Sequence, residues 1–166
     1  RCLVINFFIL LLVFPELAFT QNLYRHYAES IYYFTKYIHW PGEPEELVIA
    51  TLGESPLGEE LHILEEKLAG EKKIIIKKFK SVAEVTHCHI LFVTSSMEHD
   101  LKSLAVRAKN EHILLLSEVH DGAKKGAVIN FVHQAHHIHF ELNTKVAELY
   151  GLKISSKLQK LTTIVG

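Results

Sequence analysis

The sequence predicts an α/β protein: a single-domain layered sheet with a mainly parallel core, a C-terminal antiparallel hairpin, and helices on both faces. Three observations lead there. Short apolar runs (ELVIATLG, KKIIIKKF, HCHILFVT, HILLLSE) alternate with segments whose leucines and alanines recur at helical spacing, the pattern of successive β–α–β units with right-handed crossovers. Past residue 126 the pattern changes, and AVINFVH and HIHFELN alternate apolar and polar residues on either side of QAHH, as antiparallel hairpin strands do. Finally, no Pro/Gly/Ser-rich linker, low-complexity stretch or internal repeat interrupts residues 21–166, so that segment reads as one domain.

The opening segment, RCLVINFFILLLVFPELAFT, places Arg1 before an apolar run from Leu3 to Phe14 that breaks at Pro15. A secretory leader has an apolar stretch of about 7–15 residues, whereas a spanning helix needs roughly 20. Residues 1–20 are therefore expected to be a signal peptide cleaved before Gln21, which sends the rest of the chain across a membrane. Next, Leu23, Tyr27, Ile31, Phe34 and Ile38 recur at steps of four, four, three and four, one apolar stripe of an amphipathic helix. Trp40, Pro41 and Gly42 should end it. Tyrosines at 24, 27, 32, 33 and 37 give this helix aromatic rings on more than one side, which suggests a second contact surface.

Glu46–Gly53 is a nearly continuous apolar run, as expected for a strand covered on both faces. A helix from about Pro56 to Leu68 follows, with Gly70 just beyond its end. KKIIIKKF and His87–Thr94 are the second and third strands, Leu101, Leu104 and Ala108 mark the next helix, and HILLLSE is the fourth strand. In the hairpin, pairing Phe131 with Phe140 puts Ile129, Phe131, Phe140 and Leu142 on a core face, and Asn130, Val132, His139 and Glu141 on the other. Asn143 then caps a short helix with Val146 and Leu149 inward and a stop at Gly151, and Ser155 or Ser156 caps a last one.

Charge and chemistry exclude several functions. The chain has 18 basic and 19 acidic residues, net −1, which supplies neither a basic stripe for nucleic acid nor a polycationic membrane face. Past the leader Cys88 is the one cysteine, so it forms no intrachain disulfide, and its partner is either none or another chain. Twelve histidines raise a metal reading, with His87, Cys88 and His89, or His133, His136, His137 and His139, as ligands. On a strand His87 and His89 point away from Cys88, and no HExxH or CxxC spacing accompanies them. His137 and His139 share a face about 7 Å apart, but a fortuitous site near a turn is the simpler reading; no metal or cofactor is expected. The turn Gly53–Gly58 sits where an anion or small ligand binds in many α/β proteins, yet lacks the P-loop ending and the dinucleotide glycine pattern. No nucleophile elbow or placeable carboxylate pair is present either, and the chain is read as a non-enzyme.

Four segments in order, AESIYYFTKYIHWP, VIATLGESPLGEEL, CHILFVTSS and GAVINFVHQAHHIHFELNTKVAELYGLKISSKLQKL, resemble the YfiR family of periplasmic regulators. The resemblance implies a homodimeric, secreted, non-enzymatic α/β protein that restrains an inner-membrane diguanylate cyclase through the cyclase's periplasmic part, lowering intracellular cyclic-di-GMP. It places the family's motifs on Trp40 and Pro41, on Ile129, Asn130 and Phe131, on Phe140, Glu141 and Asn143, and on Gly151, Leu152, Ile154, Ser155 and Ser156. The regulatory surface it implies is C-terminal, so Glu141, Leu152 and Ile154 are the expected partner contacts. Trp40, Pro41, Asn130, Phe131, Phe140, Asn143, Gly151 and Ser155 are expected to serve mainly the fold. Glu141 should point outward without a partner of its own, its sign reversal costing under about 0.5 kcal/mol of stability. The alternative is a periplasmic small-ligand-binding module, built on the Gly53–Gly58 turn, that acts on a histidine kinase or another partner.

Overall fold

The computed structural model describes residues 14–67, 72–134 and 137–166. Seven strands form one sheet and two short ones a separate ribbon. In chain order the elements are α1 (Phe14–Thr35), β1 (Ile38–His39), β2 (Glu46–Leu52), α2 (Leu57–Lys67), β3 (Lys73–Phe79), β4 (Ile90–Val93), α3 (Leu101–Glu111), β5 (Leu114–Ser117), β6 (Ile129–Gln134), β7 (His137–Leu142), α4 (Thr144–Leu149), β8 (Lys153–Ile154), α5 (Ser156–Gln159) and β9 (Thr163–Ile164). The large sheet runs β3-β2-β4-β5-β6-β7-β9. Its first five strands are mutually parallel, β7 is antiparallel to β6, and β9 lies parallel to β7. Every residue of β4 and β5 is buried, as in a strand covered on both faces. Edge strand β3 carries Lys73, Lys77 and Lys78, charges that discourage another strand from adding there.

The connection β2–α2–β3 steps toward one edge and β4–α3–β5 toward the other, so right-handed crossovers put α2 and α3 on opposite faces. Helix α1 lies beside α2. Its stripe Tyr27, Ile31 and Phe34 is fully buried against the aromatic face of the sheet. Tyr27 meets Phe131 at 4.6 Å between ring centroids, Phe34 meets Phe140 at 5.3 Å, and Phe92 meets Phe131 at 5.4 Å. Burying one such ring contributes about 1.5–3 kcal/mol, and tilted or edge-to-face contacts add to that. The hairpin register pairs Phe131 with Phe140 and Ile129 with Leu142, the pairing on which the two faces were assigned.

Three expectations need correction. The first helix stops at Thr35 and not at Ile38. Ser155 N–H donates to the Tyr37 carbonyl at 2.9 Å and Ile38 pairs with Ile154, so ribbon pairing takes the backbone groups that another helical turn would have used. The third strand starts at Ile90, because His87 and Cys88 lie in the approach to it. Leu149, expected inward, is 60% exposed. In the six-residue α4, Val146, Ala147 and Tyr150 fill the inward arc, and Leu149 lies about 200° around the helix from Ala147.

The caps follow the sequence. Val146 N–H donates to Asn143 Oδ1 at 3.0 Å, and Leu158 N–H to Ser155 Oγ at 3.3 Å. Gly151 (φ +74°) closes α4: its N–H reaches the Glu148 carbonyl at 2.9 Å, while Leu152 N–H reaches that of Ala147 at 2.9 Å. This is a Schellman closure, which favours glycine at the left-handed position. It folds Leu152 back into the core. Among the described residues no helix is long and apolar enough to cross a membrane.

Candidate regulatory surface

The polar side of the hairpin is more tightly tied than alternation alone suggests. Asn130, 2% exposed, accepts from Ser117 Oγ at 2.6 Å and donates through Nδ2 to Glu141 Oε2 at 3.2 Å. A Cβ on Gly122 would lie 2.1 Å from Ser117 Oγ and 2.4 Å from Asn130 Oδ1, so only glycine lets the turn before β6 cover this pair. Glu141 is half-buried at the outer end of the relay, with the Lys124 ammonium near enough for its charge to be favoured, after Asp121, by Glu141. The expectation that Glu141 needs no partner is thus overturned: its carboxylate satisfies a buried amide. Leu152, the second expected contact, is 3% exposed and belongs to the core. Ile154 is half-buried in β8. It borders a groove of about 240 Å³ between α4, β8 and α5, whose walls include Thr144, Ala147, Glu148 and Gln159.

Several of the residues expected to serve the fold make identifiable contacts. Trp40 is buried and its Nε1–H donates to the His89 carbonyl at 3.2 Å. Pro41 is exposed beside Gly151. Asn143 joins α4 to the turn before β6 by donating to the Ala123 carbonyl at 3.1 Å, in addition to its capping bond.

The histidines divide. His89 accepts from Val48 N–H through Nδ1 at 3.0 Å, and burial, with His87 second, pushes its pKa down, so a neutral ring serves the β2–β4 seam. In the hairpin, the pairings His133↔Ile138 and Val132↔His139 put His133 on the face opposite His137 and His139; His136 lies outside the described residues. Among the described residues no three His, Cys, Asp or Glu side chains converge as metal ligands. Cys88 is 0% exposed, and burial raises its thiol pKa to about 11. A bond between the Cys88 thiols of two copies would require the sheet to open.

The strand order reverses between β2 and β4, the place where open α/β sheets bind ligands. Here the protein fills it. A Cβ on Gly53 (φ +92°) would meet Thr94 Oγ1 at 2.1 Å and Ser96 Oγ at 2.9 Å, and the stem of Lys78 covers Gly58. Ser55 Oγ accepts from Leu57 N–H at 3.1 Å, while Glu59 and Glu60 occupy the first turn of α2, charges that repel an anion. Sequence reasoning missed the carboxylate on this edge. Glu118 accepts from Ser95 N–H at 3.2 Å and Tyr24 Oη at 3.4 Å, linking α1 to the loop after β4, and burial raises its pKa. An acid directly after the fully buried strand LLLS was the available signal.

Comparison with known proteins places these features. A family model described as YfiR/HmsC-like matches residues 24–163. No curated protein matches the chain. A solved structure of a conserved domain protein from Vibrio cholerae superposes with a TM-score of 0.60 at 11% identity, covering 86% of this chain and 60% of that one. The similarity to that structure is one of fold, and this chain spans 60% of that protein's length.

Proposed function

This chain belongs to the YfiR/HmsC-like family, and from that premise we propose that it is an exported, non-enzymatic regulator that restrains a membrane diguanylate cyclase. Its leader is residues 1–20 and its working part residues 21–166, acting in the periplasm as a homodimer on the periplasmic part of the cyclase. Restraint lowers intracellular cyclic-di-GMP. The observation that carries the reading is the family match across 24–163, which includes the hairpin and the α4–β8–α5 segment where the motif residues lie.

Within this reading the partner surface is proposed to centre on Ile154. With Leu152 in the core and Glu141 holding Asn130, Ile154 and the groove beside it are the accessible contact, and Glu141 acts there by shaping the neighbouring hairpin. The polar closure of the Gly53–Gly58 turn offers nothing to the small-ligand alternative. The test is deletion of the gene in its native host, with the chain then restored intact or as Ile154→Ala. Deletion should raise cyclic-di-GMP, intact protein should return it to baseline, and the variant should be stably expressed but restore it incompletely. Unchanged cyclic-di-GMP on deletion refutes the proposal, and co-purification with a histidine kinase in place of a cyclase would favour the alternative.

A further inference from the structure

One end of the molecule gathers charge that the overall balance conceals. There β1, which follows α1, pairs with β8 through Ile38↔Ile154 and His39↔Lys153, and Tyr33 and Phe34 of α1 share a groove with Leu158 of α5. Residues 30–40 contain Lys36 and no acid, and residues 149–166 contain Lys153, Lys157 and Lys160 and no acid, in a chain whose net charge is −1. All four lysines are exposed. The nearest acids along these segments stand at the border: Glu29, paired with Arg25 and His26; Glu43, bonded to His39 and Lys72; and Glu148, in the wall of the neighbouring groove.

Tyrosines are interleaved with the lysines. Lys157 Nζ donates to Tyr37 Oη at 2.7 Å and stands 4.8 Å from the centre of that ring. Tyr33 packs on Tyr37 at 4.6 Å between centroids. Just past the end of the helix, Lys36 Nζ lies 4.4 Å over the Tyr32 ring. These rings are half-exposed, unlike Tyr27 on the core side of the same helix. The Lys36 and Lys157 ammoniums are therefore each held at the level of a ring, so that charge and ring reach one depth together.

We propose that this end of the molecule docks on an anionic phospholipid surface, the three tyrosines at headgroup level and the four lysines against lipid phosphates. The chemistry favours lipid over an acidic protein. Lysines are point charges on flexible stems and lack the rigid fork by which arginine reads a particular carboxylate, which suits a diffuse field of phosphates. Tyrosine, apolar in its body and polar at its tip, is enriched where membrane meets water. Each lysine close to such a surface is worth about fivefold in binding, and the attraction is screened beyond a Debye length of about 8 Å at physiological salt. The inference does not depend on which signalling enzyme the chain restrains, but it would hold the regulator at the bilayer in which a membrane partner is embedded.

Cosedimentation of the protein recovered after export tests this without the cyclase. Vesicles of phosphatidylglycerol with phosphatidylcholine should pellet the protein, and raising salt to about 1 M, where the Debye length is about 3 Å, should release it. Pure phosphatidylcholine should bind far more weakly. Lys36→Gln with Lys157→Gln should weaken binding by about 25-fold, and Tyr33→Ser with Tyr37→Ser should weaken it at both salt levels, with melting curves checking that each variant is folded. Equal binding to both vesicle types, no binding to either, or a lysine variant that binds like the parent would overturn the proposal. So would lysine variants that bind vesicles normally but lose a purified acidic periplasmic partner in lipid-free solution.

Discussion

Replacing Glu141 by lysine separates a carboxylate that only faces outward from one that completes a buried relay. The Asn130 amide is almost entirely enclosed, and Nδ2 has Glu141 Oε2 at 3.2 Å while Oδ1 is taken by Ser117 at 2.6 Å. Lysine offers no acceptor, and its ammonium would be added on the side where Lys124 already stands. Leaving a buried donor without an acceptor costs about 1–3 kcal/mol, well above the 0.5 kcal/mol or so expected of an ordinary surface change. Glu141→Gln keeps a carbonyl oxygen for Asn130 and should remain within about 0.5 kcal/mol of the parent. Urea unfolding of the protein and both variants measures the contrast. If Glu141→Lys is as stable as Glu141→Gln, the relay contributes nothing and the reasoning fails. The same pair clarifies function: loss of cyclic-di-GMP control in Glu141→Lys alone would reflect a disturbed hairpin, whereas loss in Glu141→Gln would show that the negative charge itself meets the partner.

Gly122→Ala should destabilise the protein by about 1–3 kcal/mol, because its Cβ collides with Ser117 and Asn130; a melting temperature equal to the parent's would show that the turn simply moves aside. Cys88, enclosed and with its thiol raised to about 11, should react with a thiol reagent only as fast as the protein opens, and reductant should leave both melting temperature and oligomeric mass unchanged, as non-reducing electrophoresis and light scattering would check. Glu118 binds its proton more tightly folded than unfolded, so its stabilising contribution is fully present below the ordinary carboxyl value of 4.5 and is lost as pH rises through its raised native value. The stability difference between parent and Glu118→Gln should therefore move in the parent's favour on acidification through that window; a pH-independent difference contradicts the assignment. Asn143→Ala removes both the cap of α4 and the tie to Ala123 and should cost at least the roughly 1 kcal/mol of a lost cap, measured by the same unfolding assay.

Much of the fold was legible because it rests on local periodicity. The stripe Tyr27, Ile31 and Phe34 has helical spacing and is buried; the continuous apolar runs of β2, β4 and β5 lie in the middle of the parallel sheet; and the hairpin faces read from alternation follow once Phe131 pairs with Phe140, as it does. Periodicity failed where a distant segment competed for the backbone. Nothing near Ile38 announces that residue 154 will pair with it, so the helical stripe continues in the sequence three residues past the point where the helix ends. Leu149 failed for a different reason, since in a helix of six residues a single apolar position does not define the inward arc.

The proposed regulatory surface was less legible because alternation assigns a residue to a face without saying what else covers that face. Glu141 and Asn130 were correctly placed together on the side of the hairpin opposite Phe131. That side is nevertheless interior at Asn130, because Ser117 comes from a neighbouring strand and Gly122 from a turn that folds over both. Leu152 shows the same limit at a helix end. It was expected at the partner only because the resemblance implies a C-terminal regulatory surface, but the closure that requires glycine at 151 carries the next side chain back against the core. A charged or apolar residue beside a turn is a sound guess for an interaction surface only when the turn geometry sends it outward. Of the three expected contacts, only Ile154 combines partial exposure with a groove at its side, and mutations there should alter partner binding with less effect on folding than mutations at Leu152.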